Sequence, residues 1–181
     1  STYGWPILAI GIPSLFLCFG YTGGPVPLAY KGLGELFVVG FFGLVAVGGS
    51  VFIQTGYWHS DAAILGLQVG LLSAALLEIY NLRDVDEDRR AGKGTLVVRF
   101  GANFGHVSLA LFLYGCHMLG IYWLTSGRDW AFVFPLAIVP LGLFVGSAVY
   151  RTPPSGAYNK FLALAALHLL LFAVFFTLGV R

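Results

Sequence analysis

The sequence predicts an all-α fold: a polytopic helical membrane protein with about six transmembrane helices in one membrane-embedded domain covering residues 1–181. Three observations carry that expectation. Hydrophobic residues make up 58% of the chain and mean hydropathy is +0.85, beyond the roughly half-apolar usage of soluble domains. Only 10% of residues are charged, too few to cover a water-facing surface. Apolar runs near the length needed to cross a bilayer, about 20 residues, recur near 4–20, 34–57, 62–82, 103–125, 130–149 and 159–180.

Each run contains glycine or proline, which lipid-embedded helices tolerate because neighbouring helices and waters meet the freed backbone groups. After the first run comes YTGGPVPLAYKGLGE, residues 21–35, a loop shaped by its glycines and prolines. The third run carries Glu78 near its end and passes into NLRDVDEDRRAGKGTLVVRFG, residues 81–101, which holds half of the chain's 18 formal charges. The fifth is followed by RTPPSGAYN, residues 151–159, a turn-rich loop by its paired prolines and glycine. No internal repeat is evident.

The basic residues orient these runs. Lys31, Arg83, Arg89, Arg90, Lys93, Arg99, Arg151 and Lys160 fall on the loops of one face, against Arg128 and Arg181 on the other. Cytoplasmic loops are enriched in Lys and Arg, so the charged loops are expected in the cytoplasm and both chain ends outside it. The protein is therefore expected to be integral to a bacterial cytoplasmic membrane, with the lipid bilayer as a partner. A net charge of +2 and no interleaving of basic and aromatic residues set nucleic acid aside.

Cys18 and Cys116 lie in apolar runs without metal or redox spacing. His59, His106, His117 and His168 are scattered singly and are expected to be packing or interfacial residues. The chain begins at Ser1 and enters an apolar run without the charged leader of a signal peptide. That beginning suggests a fragment or a processed chain.

Should the third helix continue past the membrane, about 100° per residue places Asn81, Asp84 and Asp88 within an arc of about 60°. Asp86 and Glu87 point elsewhere, and Gly92 is the expected end of the helix. Two carboxylates on successive turns repel unless a cation or proton lies between them. Mg²⁺ suits the position, since it takes oxygen ligands and uses one or two carboxylates together with substrate phosphates. Lys93, Arg89 or Arg90 would meet the remaining phosphate oxygens. Glu78, an acid in an apolar helix, marks a functional or paired site. In the 21–35 loop, Lys31 can reach a phosphate, and Tyr21 or Tyr30 can donate to a leaving oxygen or face a cation. The competing reading is a solvated loop of paired acids and bases, with interfacial tyrosines as anchors.

YKGLGELFV at 30–38 and the 81–101 stretch, with its D-x-x-x-D at Asp84 and Asp88 and its G-K-x-T-L-x-V-R-x-G tail, resemble the UbiA-type intramembrane prenyltransferases. The likeness is greatest to the branch acting on 1,4-dihydroxy-2-naphthoate in menaquinone biosynthesis. The resemblance implies the last six helices of a nine-helix bundle. It implies Mg²⁺ at Asp84 and Asp88, a polyprenyl diphosphate donor, and a dihydroxynaphthoate acceptor. Asp84, Asp88, Tyr30 and Lys31 would act in catalysis, while Asn81, Arg83, Arg89, Lys93 and Tyr21 would bind substrate. Acceptors such as 4-hydroxybenzoate or homogentisate fit the same chemistry. A cation carrier that holds metal without reaction is the alternative class.

The sequence departs from that pattern at two points. The family's first motif, N-x-x-x-D-x-x-x-D, is absent from residues 1–181, so this polypeptide by itself is expected to be inactive. Tyr80 stands where the branch commonly has a second asparagine.

Overall fold

A computed structural model describes residues 4–23 and 28–181, with the side chains of Pro6, Leu17, Cys18, Tyr21, Thr22 and Leu28 outside the described set. The elements are α1 (Gly4–Thr22), a 3-10 turn (Leu28–Lys31), α2 (Gly34–Thr55), α3 (Ser60–Arg83), the short α4 (Val85–Arg90) and α5 (Leu96–Phe100), α6 (Ala102–Thr125), α7 (Asp129–Arg151) and α8 (Tyr158–Val180). No strand occurs among the described residues.

Five of these helices, α2, α3, α6, α7 and α8, are long and apolar enough to cross a membrane. The first expected segment does form α1, but the apolar run described in it is only Ile7–Phe16. Large apolar side chains such as Phe42, Leu111, Phe144 and Leu170 point outward, as in a bundle whose solvent is hydrocarbon.

Helix α3 is the axis, packing against α2, α6 and α8, and half of its apolar window is buried. Its inner side combines Leu72, Ala75, Ile79 and Leu82 with Leu109 and Leu113 of α6 and Phe172 of α8. Small residues let α2 approach it closely. A Cβ at Gly43 would lie 2.3 Å from the Gly66 carbonyl oxygen, and one at Gly70 would lie 2.7 Å from that of Val39. The facing segment of α2, Val39–Gly48, is wound with the wide turns of a π-helix. Within α7, Phe134–Ile138, which contains Pro135 and is soon followed by Pro140, tightens to 3-10 geometry, since proline cannot supply the amide that an α-helical turn requires.

Several polar side chains inside the bundle are partnered across helices. Trp123 Nε1 donates to Gln68 Oε1 at 2.9 Å, and Gln68 Nε2 donates to the Cys116 carbonyl at 2.8 Å. His117 and His168, expected to be solitary, meet with their Nε2 atoms 3.3 Å apart. Their separation of 51 residues hides this contact from any spacing rule.

The helix through the charged stretch is interrupted at Asp84, whose φ of −98° and ψ of 14° leave helical geometry. The expected single helix is thus α3 followed by α4. Gly92, at φ 71°, ends α4 as expected. Around it the Lys93 amide donates to the Asp88 carbonyl and the Gly92 amide to that of Arg89, the paired bonds of a Schellman motif. This reversal carries Lys93 back over Asp88.

Candidate functional site

A cavity of about 400 Å³ lies where the 3-10 turn, the start of α2, the end of α3 and the loop after α4 meet. Tyr30, Glu35, Tyr80, Asn81, Asp88 and Lys93 supply its polar lining. Two loops distant in sequence form one wall. The Gly94 amide donates to the Tyr30 carbonyl at 3.0 Å. A Cβ at Gly32, where φ is 70°, would stand 2.9 Å from the Gly94 carbonyl. Glycine is required there for both its backbone angle and the close approach.

Asp88 is 3% exposed. Its Oδ1 accepts from Lys93 Nζ at 2.8 Å, while its buried Oδ2 has no partner. The bond to Asp88 holds the Lys93 ammonium above its ordinary range, against opposing desolvation. Lys93 also lies 5.9 Å from the centre of the Tyr30 ring, within the range of a cation–π contact. Deeper in, Asn81 Nδ2 donates to Glu35 Oε1 at 2.7 Å. Behind Glu35 is Glu78, fully buried, with both oxygens unpartnered.

Asp84 does not line this cavity. Arg83 grips it with two bonds, Nε to Oδ1 at 2.6 Å and the second guanidinium nitrogen to Oδ2 at 2.9 Å. Arg83 also donates to Asn159 Oδ1 at 2.6 Å and covers the Tyr80 ring at 4.6 Å. Arg83, Asp84 and Asn159 border a neighbouring depression of about 380 Å³. The hydrogen bonds from Arg83 hold the Asp84 carboxyl below its usual range, more than offsetting burial. A depressed carboxyl adds stability above its unfolded value, near pH 4, and loses it as pH falls through the folded one. Arg83→Ala is accordingly expected to lower stability at neutral pH by about 1 kcal/mol or less, the scale of a partly exposed pair. The variant should also show a weaker loss on acidification below about pH 4. Thermal unfolding in detergent across pH checks both.

The remaining candidates separate clearly. Arg89 pairs with Asp86 at 3.0 Å in an exposed setting, and Arg90 donates to the Asp86 carbonyl. Lys31 is exposed and does not line the cavity. The structure therefore brings Tyr30, Asn81, Asp88 and Lys93 together, puts Arg83 and Asp84 alongside, and leaves Arg89 and Lys31 outside. The Tyr21 side chain lies outside the described residues. The expected arc of Asn81, Asp84 and Asp88 divides because of the break at Asp84.

Glu35 is the cavity residue that sequence reasoning misses, although it lies within YKGLGELFV. The available signal is that it is the only acid in the 34–57 run, the same reasoning that marks Glu78.

Among the described residues no three acids, cysteines or histidines gather as a ready-made metal cage. The unpartnered Asp88 Oδ2 nevertheless suits a divalent ion of the kind that keeps waters and shares substrate phosphates. A buried carboxylate oxygen without a donor is costly until a cation or proton meets it.

Residues 1–172 match the family described as "UbiA prenyltransferase family". The chain is 34% identical to 1,4-dihydroxy-2-naphthoate octaprenyltransferase of Haemophilus influenzae, over 94% of this chain and 56% of that protein. It is 34% identical to the Escherichia coli protein of the same name, over 96% of this chain and 56% of the relative. With 2-carboxy-1,4-naphthoquinone phytyltransferase of Synechocystis it shares 28% identity, over 88% of this chain and 53% of that protein. It thus spans about half the length of these curated relatives. No solved structure matches it.

Proposed function

This chain belongs to the UbiA prenyltransferase family, and from that premise we propose that the protein transfers a polyprenyl group from its diphosphate to 1,4-dihydroxy-2-naphthoate in menaquinone biosynthesis. The observation that carries the reading is Asp88: buried at a cavity wall, with one oxygen on Lys93 and the other free. A diphosphate needs both signs of charge, a carboxylate to share a cation with it and an ammonium to meet its own oxygens. The relatives' names supply the acceptor.

Asp88, with Asp84 beside it, would hold Mg²⁺. When bound, the ion neutralises charge developing on the departing diphosphate. Lys93 binds the same leaving group and is kept in place by Asp88 and the Schellman turn. Tyr30, at the cavity mouth, presents its ring to the allylic carbon, and Asn81 orients Glu35. Lys31 and Arg89 provide positive charge on the approach. The charged loops face the cytoplasm of a bacterial inner membrane.

The test uses the intact protein in lipid vesicles with Mg²⁺, radiolabelled polyprenyl diphosphate and a panel of acceptors: dihydroxynaphthoate, 4-hydroxybenzoate and homogentisate. Prenylated naphthoate is expected, with diphosphate released and both abolished by EDTA. Turnover with another ring alone would discard the acceptor. Metal flux without diphosphate release would discard the enzyme reading.

A further inference from the structure

The cavity contains one acid that donor binding leaves unused. Glu35 is 5% exposed and lines the cavity, yet the donor it meets is the neutral amide of Asn81 at 2.7 Å. Asp88, by contrast, is neutralised by an ammonium. An amide fixes the direction of a carboxylate while leaving its negative charge in place. Glu78 lies near enough to Glu35 for the two carboxyls to interact electrostatically, and neither of its oxygens has a hydrogen-bond partner among the described residues. The polar groups that share the cavity with Glu35 are Asn81 and Tyr80 from α3, Tyr30 from the 3-10 turn, Asp88 from α4, and Lys93 and Thr95 from the loop after it. Gly105 of α6 closes the far side, where a Cβ would sit 3.1 Å from Glu78 Oε1.

We propose that Glu35 is the catalytic base that takes the ring-hydroxyl proton of the aromatic acceptor, with Glu78 as the positioning residue behind it. This rests on the prenyl-transfer reading above. The hydroxyl O–H bond breaks and its proton passes to the Glu35 carboxylate. The electron pair left on oxygen feeds the ring carbon, which forms the new carbon–carbon bond as the allylic C–O bond breaks and its pair departs on the diphosphate. Loss of the ring proton to the released diphosphate, or of the acceptor's carboxylate as carbon dioxide, restores aromaticity and returns the electron pair to the oxygen, which takes back the proton held on Glu35.

Glu35→Gln keeps an oxygen for Asn81 and removes the base. In the intact protein kcat is expected to fall by about 10²–10⁴-fold, the usual contribution of a positioned base, while binding of a non-reactive polyprenyl thiodiphosphate stays within about threefold. An acceptor with a more acidic, fluorinated ring hydroxyl should narrow the gap to wild type, because less depends on the base. Glu35→Asp, which retains a carboxylate on a shorter stem, should recover part of the rate and serves as the second variant if the glutamine form fails to fold. Glu78→Gln should shift the acid limb of the pH–rate profile with a smaller loss of kcat. The inference is overturned if Glu35→Gln turns over within about threefold of wild type, below what a base supplies. It is also overturned if donor binding falls in step with rate, or if the acidic acceptor leaves the gap unchanged. A wild type that prenylates no hydroxylated ring would end the parent reading as well; an active wild type with an equally active Glu35→Gln would end this one alone.

Discussion

Asp88→Ala in the intact protein is expected to reduce prenyl transfer by at least about 10²–10³-fold, the cost of deleting one preorganised electrostatic contact to a transition state. Two effects combine. The free oxygen that would meet a cation disappears, and Lys93 loses the partner that holds it over the cavity at 2.8 Å. Asp88→Asn distinguishes them, since an amide oxygen can still accept from Lys93 but carries no charge for a metal. Asp84→Ala should cost less, because both Asp84 oxygens are already gripped by Arg83. Steady-state kinetics with donor and Mg²⁺ varied separately is the measurement. Equal, near-wild-type activity in Asp84→Ala and Asp88→Ala would remove the carboxylates from the mechanism.

Gly43→Leu is expected to abolish accumulation of folded protein. Its first added carbon would stand 2.3 Å from the Gly66 carbonyl oxygen and 3.0 Å from the Gly70 Cα, and neither backbone group can rotate away. Even Gly43→Ala should cost about 1–3 kcal/mol, the range for overpacking a filled interior. A Cβ added at Gly40, on the same wide-turned segment, would meet nothing within 4 Å, so Gly40→Ala should behave like wild type. Size-exclusion profiles and unfolding temperatures in one detergent compare the three. Because Glu35 begins α2 and Asn81 ends α3, whatever folded Gly43→Ala survives should also transfer the prenyl group slowly.

The features read most readily from sequence are those with one-dimensional signatures. Apolar run length predicts the membrane helices, and charge crowding predicts which loops form the site. Gly92 predicts the end of α4 because a left-handed turn there nearly demands glycine. The 100° rule is sound in placing Asn81 and Asp88 on one side but fails for Asp84. The helix stops at Asp84, where the carboxylate is tied to the adjacent Arg83, and a projection assumes unbroken geometry. Glu35 and the His117–His168 contact are hidden for another reason. Each depends on α2, α6 or α8 meeting another helix, and a partner 46 or 51 residues away leaves no mark in local spacing.

Among the described residues, one main-chain hydrogen bond fastens the two cavity loops, from the Gly94 amide to the Tyr30 carbonyl. No exchange of one side chain for another deletes such a bond, provided the backbone can still reach it. Descendants of this sequence could therefore replace Tyr30 or Thr95, and with them the preferred ring or tail, while the two halves of the site stayed in register. Only proline at 94, or bulk at 32 or 94, would unfasten them. The architecture thus separates inheritance of alignment from inheritance of specificity: the first is written in glycines, and the second is free to drift.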